Sequence, residues 1–347
     1  MDPASLPPPP PDVNRGPEIL AVTGTLVGIA LCVVLLRLWV RLRMVRQLGW
    51  DDFFVAAAMA LLFAEMIIIV PEAHYGAGRH WQYIQPPGHI PVGLHLNFAT
   101  QPMCLVALTL TKVSVGVFLL RLAPNKNYRA FIHFIIGFTV LSSTAGFLTV
   151  FFQCRPLSFN WDNTTPGGQC ISARNLKITT YFNSILSAST GLIFAMLPIP
   201  MLINVQLNWK AKSAIIGILS LGVLRVASDP LNAKNRIQKS LLIWLRVSAT
   251  AAAIAKMAYL SNYGKYGDLL FDSADITIWT TIEVNVAMIA GSIPCLKPLF
   301  KKILDLSSAY RGGGGGGKSS HQRYYGHNSS YGNGRSRSST FAIGGGP

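Results

Sequence analysis

Long apolar runs alternate with short polar connections along the chain, and the runs have membrane length. Such segments lie at residues 18–40, 51–70, 97–120, 129–152, 176–203 and 275–300. One further crossing, before the last, is cut in two. Residues 211–224 and 248–260 are each too short to span a bilayer, and the polar, basic stretch 225–247 separates them. Joined directly, the flanks form one continuous span. The pattern therefore predicts an all-α fold, a seven-transmembrane helix bundle over residues 18–304. Residues 225–247 are an anomalous insert, read as the translation of a retained intron. The other reading takes the stretch as a genuine loop, which makes the sixth helix a re-entrant hairpin or rebuilds the crossing from residues 240–260, with Arg246 inside it. Pro71 is expected to end the second helix, and Pro294 lies near the end of the last.

The ends differ in character from the bundle. Residues 1–17 are proline-rich, without a basic region feeding an apolar core, and read as a stiff extracellular stub rather than a signal peptide. Residues 305–347 are rich in glycine and serine and read as a disordered cytosolic tail.

Composition agrees with a membrane protein: 50% of residues are hydrophobic and 13% charged, about half the charged fraction of a soluble domain. The net charge of +16 would suit a nucleic-acid binder, but its placement argues otherwise. Arg37, Arg41, Arg43 and Arg46 follow the first span, Arg121, Lys126 and Arg129 the third, and Lys210 and Lys212 the fifth. Lys297, Lys301 and Lys302 follow the last. The opposite face has only Arg79, Arg155, Arg174 and Lys265 over longer loops. By the positive-inside rule the N-terminus is outside and the C-terminus cytosolic. The bilayer is the expected partner, and nucleic acid is not.

Four ionisable residues fall inside predicted spans: Glu65, Lys112, Lys256 and Glu283. Charges at such depth face the bundle interior, because lipid solvates them poorly. Counting rise per residue, Glu65, Lys256 and Glu283 share one outward-facing layer, with Lys256 paired to Glu283 or Glu65. Lys112 sits deeper and is expected to snorkel or bond helix ends. Structural interhelical pairs, a ligand-sensing pocket and an ion path all remain open readings. No lysine lies in the middle of the last span, around residues 286–289, so no covalent retinal is expected. No catalytic motif, cofactor site or metal site is expected either. His74 and His80 lack a third ligand and read as loop packing or the lip of an outer cavity.

Cys154 and Cys170 bracket the loop after the fourth span on the predicted outer face, and a disulfide is expected there. Asn163 begins an Asn-Thr-Thr glycosylation acceptor in the same loop. Asp51 and Asp52 open the second span, where carboxylates satisfy free amides and the helix dipole.

The ordered motifs carry a resemblance. They are Gly49, Trp50, Asp51 and Asp52 at the second span, then Gly76, Gly78, Arg79 and His80. Arg155, Pro156 and Trp161 follow in the cysteine-bracketed loop, and Pro294 and Pro298 close the last span. Together the chain resembles the fungal rhodopsin-like seven-helix integral membrane family of filamentous ascomycetes. The resemblance implies a receptor-like multi-pass protein of the plasma membrane or an endomembrane, the plasma membrane preferred. It implies no retinal, an unknown ligand on the outer face, and a heterotrimeric G protein as cytosolic partner. It also implies an unbroken sixth helix, from which residues 225–247 depart. A receptor or sensor of surface or nutrient cues is the leading expectation. A small-solute transporter or a membrane scaffold is the alternative.

Overall fold

The computed structural model describes residues 11–162, 164–197 and 268–296, together with residues 255 and 299. The sixth crossing, the insert 225–247, Lys256, Asn163, Pro298 and the tail 305–347 lie outside the described residues, as do residues 1–10 of the stub. The described part is mostly helical. It comprises α1 (Gly16–Trp39), α2 (Trp50–His74), α3 (His89–Leu122), α4 (Lys126–Phe152), α5 (Ala173–Met196) and α6 (Leu269–Ser292). A π-helical turn, Val40–Val45, continues α1, and a 3-10 turn, Ile293–Leu296, continues α6 through Pro294. Cys154–Arg155 (β1) and Gln169–Cys170 (β2) pair antiparallel between α4 and α5.

Five of these helices are long and apolar enough to cross a membrane: α1 with its π turn, α2, α3, α4 and α6 with its 3-10 turn. The fifth predicted span differs. In the described residues α5 carries Asn, Ser and Thr along most of its length, and the apolar end expected at 198–203 lies outside them.

Two other boundaries move for identifiable reasons. Pro71 does not end α2, which runs on to His74. A proline removes its own amide but leaves its carbonyl free to accept, and Tyr75 N donates to Pro71 O at 2.9 Å. The last span begins at Leu269 rather than 275, because Phe271 N and Asp272 N both donate to Asp268 O and start the helix nearly two turns earlier.

Small side chains set the closeness of the bundle. Ala30 of α1, Ala58 of α2, Ala107 of α3 and Val284 of α6 are fully buried in one cluster, which also holds Met59, Leu62 and Met288. Packing of small residues drives helix association where no hydrophobic effect operates. A second cluster joins α3, α4 and α5 through Leu119, Ile132, Ile135 and Phe194. The outer faces are apolar in turn: Ile29, Phe63, Ile67, Phe134 and Leu141 are exposed and suit lipid contact.

Cys154 and Cys170 are disulfide-bonded, across the β1–β2 pair and 16 residues apart in sequence. Trp161 folds the enclosed loop onto α3, stacking on His95 at 4.4 Å between centroids and touching Phe98 at 5.5 Å. Closing a loop of this size removes unfolded-state entropy. Cys154→Ser and Cys170→Ser should each lower stability by about 2–4 kcal/mol. The double variant should lose no more than either single one, measured as the denaturation midpoint of the solubilised protein.

Candidate functional site

Polar groups occupy three levels of the bundle. At the first, four charges from α1 and α2 close on one another. Arg37 reaches Asp51 at 2.7 Å and Asp52 at 2.9 Å, and Arg41 reaches Asp51 at 2.9 Å. Arg37 is 1% exposed and Asp51 is fully buried. Arg37 also donates to Gly291 O of α6 at 3.3 Å, and Arg41 to Cys295 Sγ at 3.3 Å. Ser114 Oγ of α3 donates to Asp51 O at 2.7 Å. Arg121, at the end of α3, faces Asp51 Oδ1 at 3.2 Å as an ion pair without a well-directed hydrogen bond. Its guanidinium crosses Gly49, where any Cβ would collide with it. One carboxylate pair thereby ties α1, α3 and α6 to the start of α2.

This arrangement corrects two sequence expectations. Asp52 does cap the helix, accepting Gly49 N at 3.1 Å, but both carboxylates are chiefly ion-paired. Arg37 and Arg41 are not loop residues of the topology signal. The helix runs through them, so spacing of four residues turns both guanidinium groups to one face, toward the Asp pair.

The second level lies in the interior. Lys112 Nζ of α3 donates to Ser187 O at 2.8 Å and Ser187 Oγ at 2.7 Å on α5, and to Thr190 Oγ1 at 3.3 Å. Ser187 Oγ in turn donates to Glu283 Oε1 of α6 at 3.4 Å. A hydroxyl therefore bridges a buried cation to a buried carboxylate across three helices. Lys112 neither snorkels nor seeks a helix end; α5 offers it side-chain and carbonyl oxygens at its own depth. The pairing expected of Lys256 lies outside the described residues.

Glu65 belongs to a different seam, between α2 and α3. Glu72 Oε1 accepts Asn97 Nδ2 at 2.9 Å, and Asn97 Oδ1 accepts Gln101 Nε2 at 3.1 Å. The Cys104 thiol, one turn further on, hydrogen-bonds Glu65. Glu65 and Glu72 are buried, and each keeps one carboxylate oxygen without a hydrogen-bond partner. Asn285 Oδ1 is likewise unpartnered. Glu72, Asn97 and Ser187 escaped the sequence reading. Glu72 had a signal: it follows Glu65 by seven residues, two turns along one helical face, but ending the helix at Pro71 hid it.

The third level is the loop after α2. Gly76 and Gly78 adopt φ of +106° and +80°, which side chains rarely take. The turn lets Gly78 O accept Arg15 N at 3.0 Å while Gly78 N donates to Leu270 O at 3.0 Å. His80 Nδ1 lies 2.8 Å from Asp268 Oδ2, and its ring stacks on Phe271 at 3.8 Å. Arg79 grips Asp12 through two bonds, at 2.9 and 2.6 Å. His80 thus packs against the head of α6, and His74 lies elsewhere, against Tyr75. No group of three metal-ligating side chains occurs among the described residues.

The hydrogen bond from Arg79 holds the Asp12 carboxyl below its usual range. A depressed carboxyl favours the bound form above its ordinary value and loses that advantage as pH falls through the lowered one. Amides near residues 12–16 should therefore lose protection, relative to their intrinsic exchange rates, below about pH 4, and an Asp12→Asn variant should lose this acid dependence. Asp162 is lowered by the same kind of bond, from the Thr164 hydroxyl and amide beside the glycosylation acceptor. Arg155 is exposed on β1 and Pro156 follows it through a cis peptide bond.

Three curated fungal proteins share this sequence pattern. The polyenoic acids biosynthesis gene cluster protein Ba17b of Metarhizium anisopliae is 21% identical over 84% of this chain and 77% of its own length. Fugralins biosynthesis cluster protein 2 of Gibberella zeae is 23% identical over 48% of this chain. A SAT4 family membrane protein of Emericella nidulans is 25% identical over 50% of it. The alignments span only 35% and 42% of the latter two relatives. No solved structure matches. The fungal rhodopsin domain model matches residues 36–302, about three quarters of the chain. The chain is an integral membrane protein that belongs to the fungal rhodopsin domain family.

Proposed function

We propose that this protein is a non-enzymatic, receptor-like membrane sensor without retinal. It crosses the membrane seven times, with the N-terminus outside and basic loops facing the cytosol. The observation that carries this reading is the Lys112–Ser187–Glu283 bridge. It couples α3, α5 and α6 through one interior hydroxyl, so a polar ligand that displaces Ser187 would shift three helices together. A covalent chromophore has no attachment lysine in the middle of α6. Signal would leave through the charge cluster, which joins α1, α2, α3 and α6, toward a heterotrimeric G protein.

Two relatives are named for biosynthesis clusters, of fugralins and of polyenoic acids. On that ground we take a small metabolite, not a protein, as the ligand class. The unpartnered oxygens of Glu65 and Glu72 favour a second reading, passage of a small solute. Both readings are tested with the full chain in cells under nutrient and metabolite stimuli. Stimulated recruitment of a Gα subunit, lost in Lys112→Gln, supports the sensor. Solute uptake that is lost in Glu65→Gln and Glu72→Gln, with no Gα recruited under any stimulus, replaces it with transport.

A further inference from the structure

The four arginines at the C-terminal end of the first span and beyond it divide sharply. Arg37 and Arg41 are buried in the charge cluster. Arg43 and Arg46, three residues apart around the π turn, are exposed and make no ion pair among the described residues. Around them the connection to α2 exposes apolar side chains: Leu42 at 54%, Leu48 at 59% and Trp50 at 72%. These positions lie where the apolar stretches of α1 and α2 both end, so the bilayer interface meets them. A tryptophan and long basic side chains at that level are interfacial anchors.

Arg46 adds an independent observation. It is the one non-glycine residue with positive φ among the described residues, at 54°, and its amide donates to Arg41 O to close the turn. A left-handed conformation costs an ordinary residue about 1–2 kcal/mol, which glycine avoids. The turn itself needs only the backbone. Strained residues persist where the side chain has a use, and here that side chain is an exposed guanidinium with no acceptor among the described residues. Guanidinium groups match phosphate oxygens in pairs.

We propose that Arg43 and Arg46, framed by Leu42, Leu48 and Trp50, bind the phosphate headgroup of an anionic glycerophospholipid in the adjoining leaflet. The apolar side chains sit among the acyl chains while the two guanidinium groups hold the headgroup. Residues of the sensor site take no part, so this assignment stands or falls apart from the function proposed above.

The test uses the full chain solubilised from vesicles of mixed phosphatidylserine and phosphatidylcholine, with retained lipids quantified by mass spectrometry. The wild type should enrich phosphatidylserine over its bulk ratio. Arg43→Gln and Arg46→Gln should each lower that enrichment about fivefold, as expected for one basic side chain at the surface. Arg46→Gly is the decisive variant. It relieves the left-handed strain, so it should fold at least as well as the wild type yet lose the same enrichment. Arg155→Gln, at the other end of the bundle, should change nothing. Unaltered enrichment in an Arg43→Gln/Arg46→Gly double variant overturns the assignment. So does displacement of the lipid by equimolar inorganic phosphate, which would make this a site for free anions.

Discussion

Asp51→Ala should destabilise the solubilised protein by about 3–5 kcal/mol, the cost of stranding a buried charge. Arg37 and Arg41 both direct a guanidinium at Asp51, and both are buried. Asp52 alone cannot neutralise two cations. The effect should appear as a large drop in the thermal midpoint, and in cells as poor accumulation of the chain. Its companion is the joint replacement of Arg37, Arg41, Asp51 and Asp52 by apolar residues of similar volume. Because desolvating ions offsets most of their attraction, that variant should recover much of the loss. A cost for Asp51→Ala under about 1 kcal/mol, typical of an exposed pair, would mean the cluster is hydrated and not a structural joint.

Lys112→Ala should have the next largest effect, about 3 kcal/mol, since it removes charged hydrogen bonds to Ser187 and Thr190. Loss of the cation also removes the positive charge that faces Glu283 through the Ser187 hydroxyl, which donates to its carboxylate at 3.4 Å. Glu283→Gln in the Lys112→Ala background should therefore cost less than in the wild type. The expected coupling is about 1–2 kcal/mol, within the range for residues in one network. Strict additivity would show that Ser187 does not transmit between the two charges, and would remove the structural basis for the sensor reading.

The helical class was legible because apolar runs of membrane length have few other solutions. The disulfide was legible too, because two cysteines bracket one short loop. The pairing of interior charges was not. Depth along a helix can be counted from sequence, but azimuth relative to neighbouring helices cannot. Hence Glu65 and Glu283, placed in one layer by depth, belong to separate seams, one facing Cys104 and the other Ser187. Serine and threonine partners are harder still to foresee, since most of them in these helices bond the carbonyl one turn back, as Thr23, Thr111 and Thr139 do. Arg37 and Arg41 were misread for another reason. The positive-inside rule counts arginines near span ends without asking whether the helix continues through them.

The glycine turn after α2 carries a consequence for biosynthesis. Gly78 joins Arg15 to Leu270, segments 255 residues apart in the order of synthesis. The Arg37–Asp52 contact needs only 15 residues of separation and can form within the first helical hairpin. The Gly78 joint must wait until Leu270, at the start of the last helix, has left the ribosome. Assembly is thus ordered in time: the hairpin of α1 and α2 neutralises itself early, and the Gly78 joint is fastened only after residue 270 has been made. A chain truncated before residue 268 should keep the first contact and lack the second.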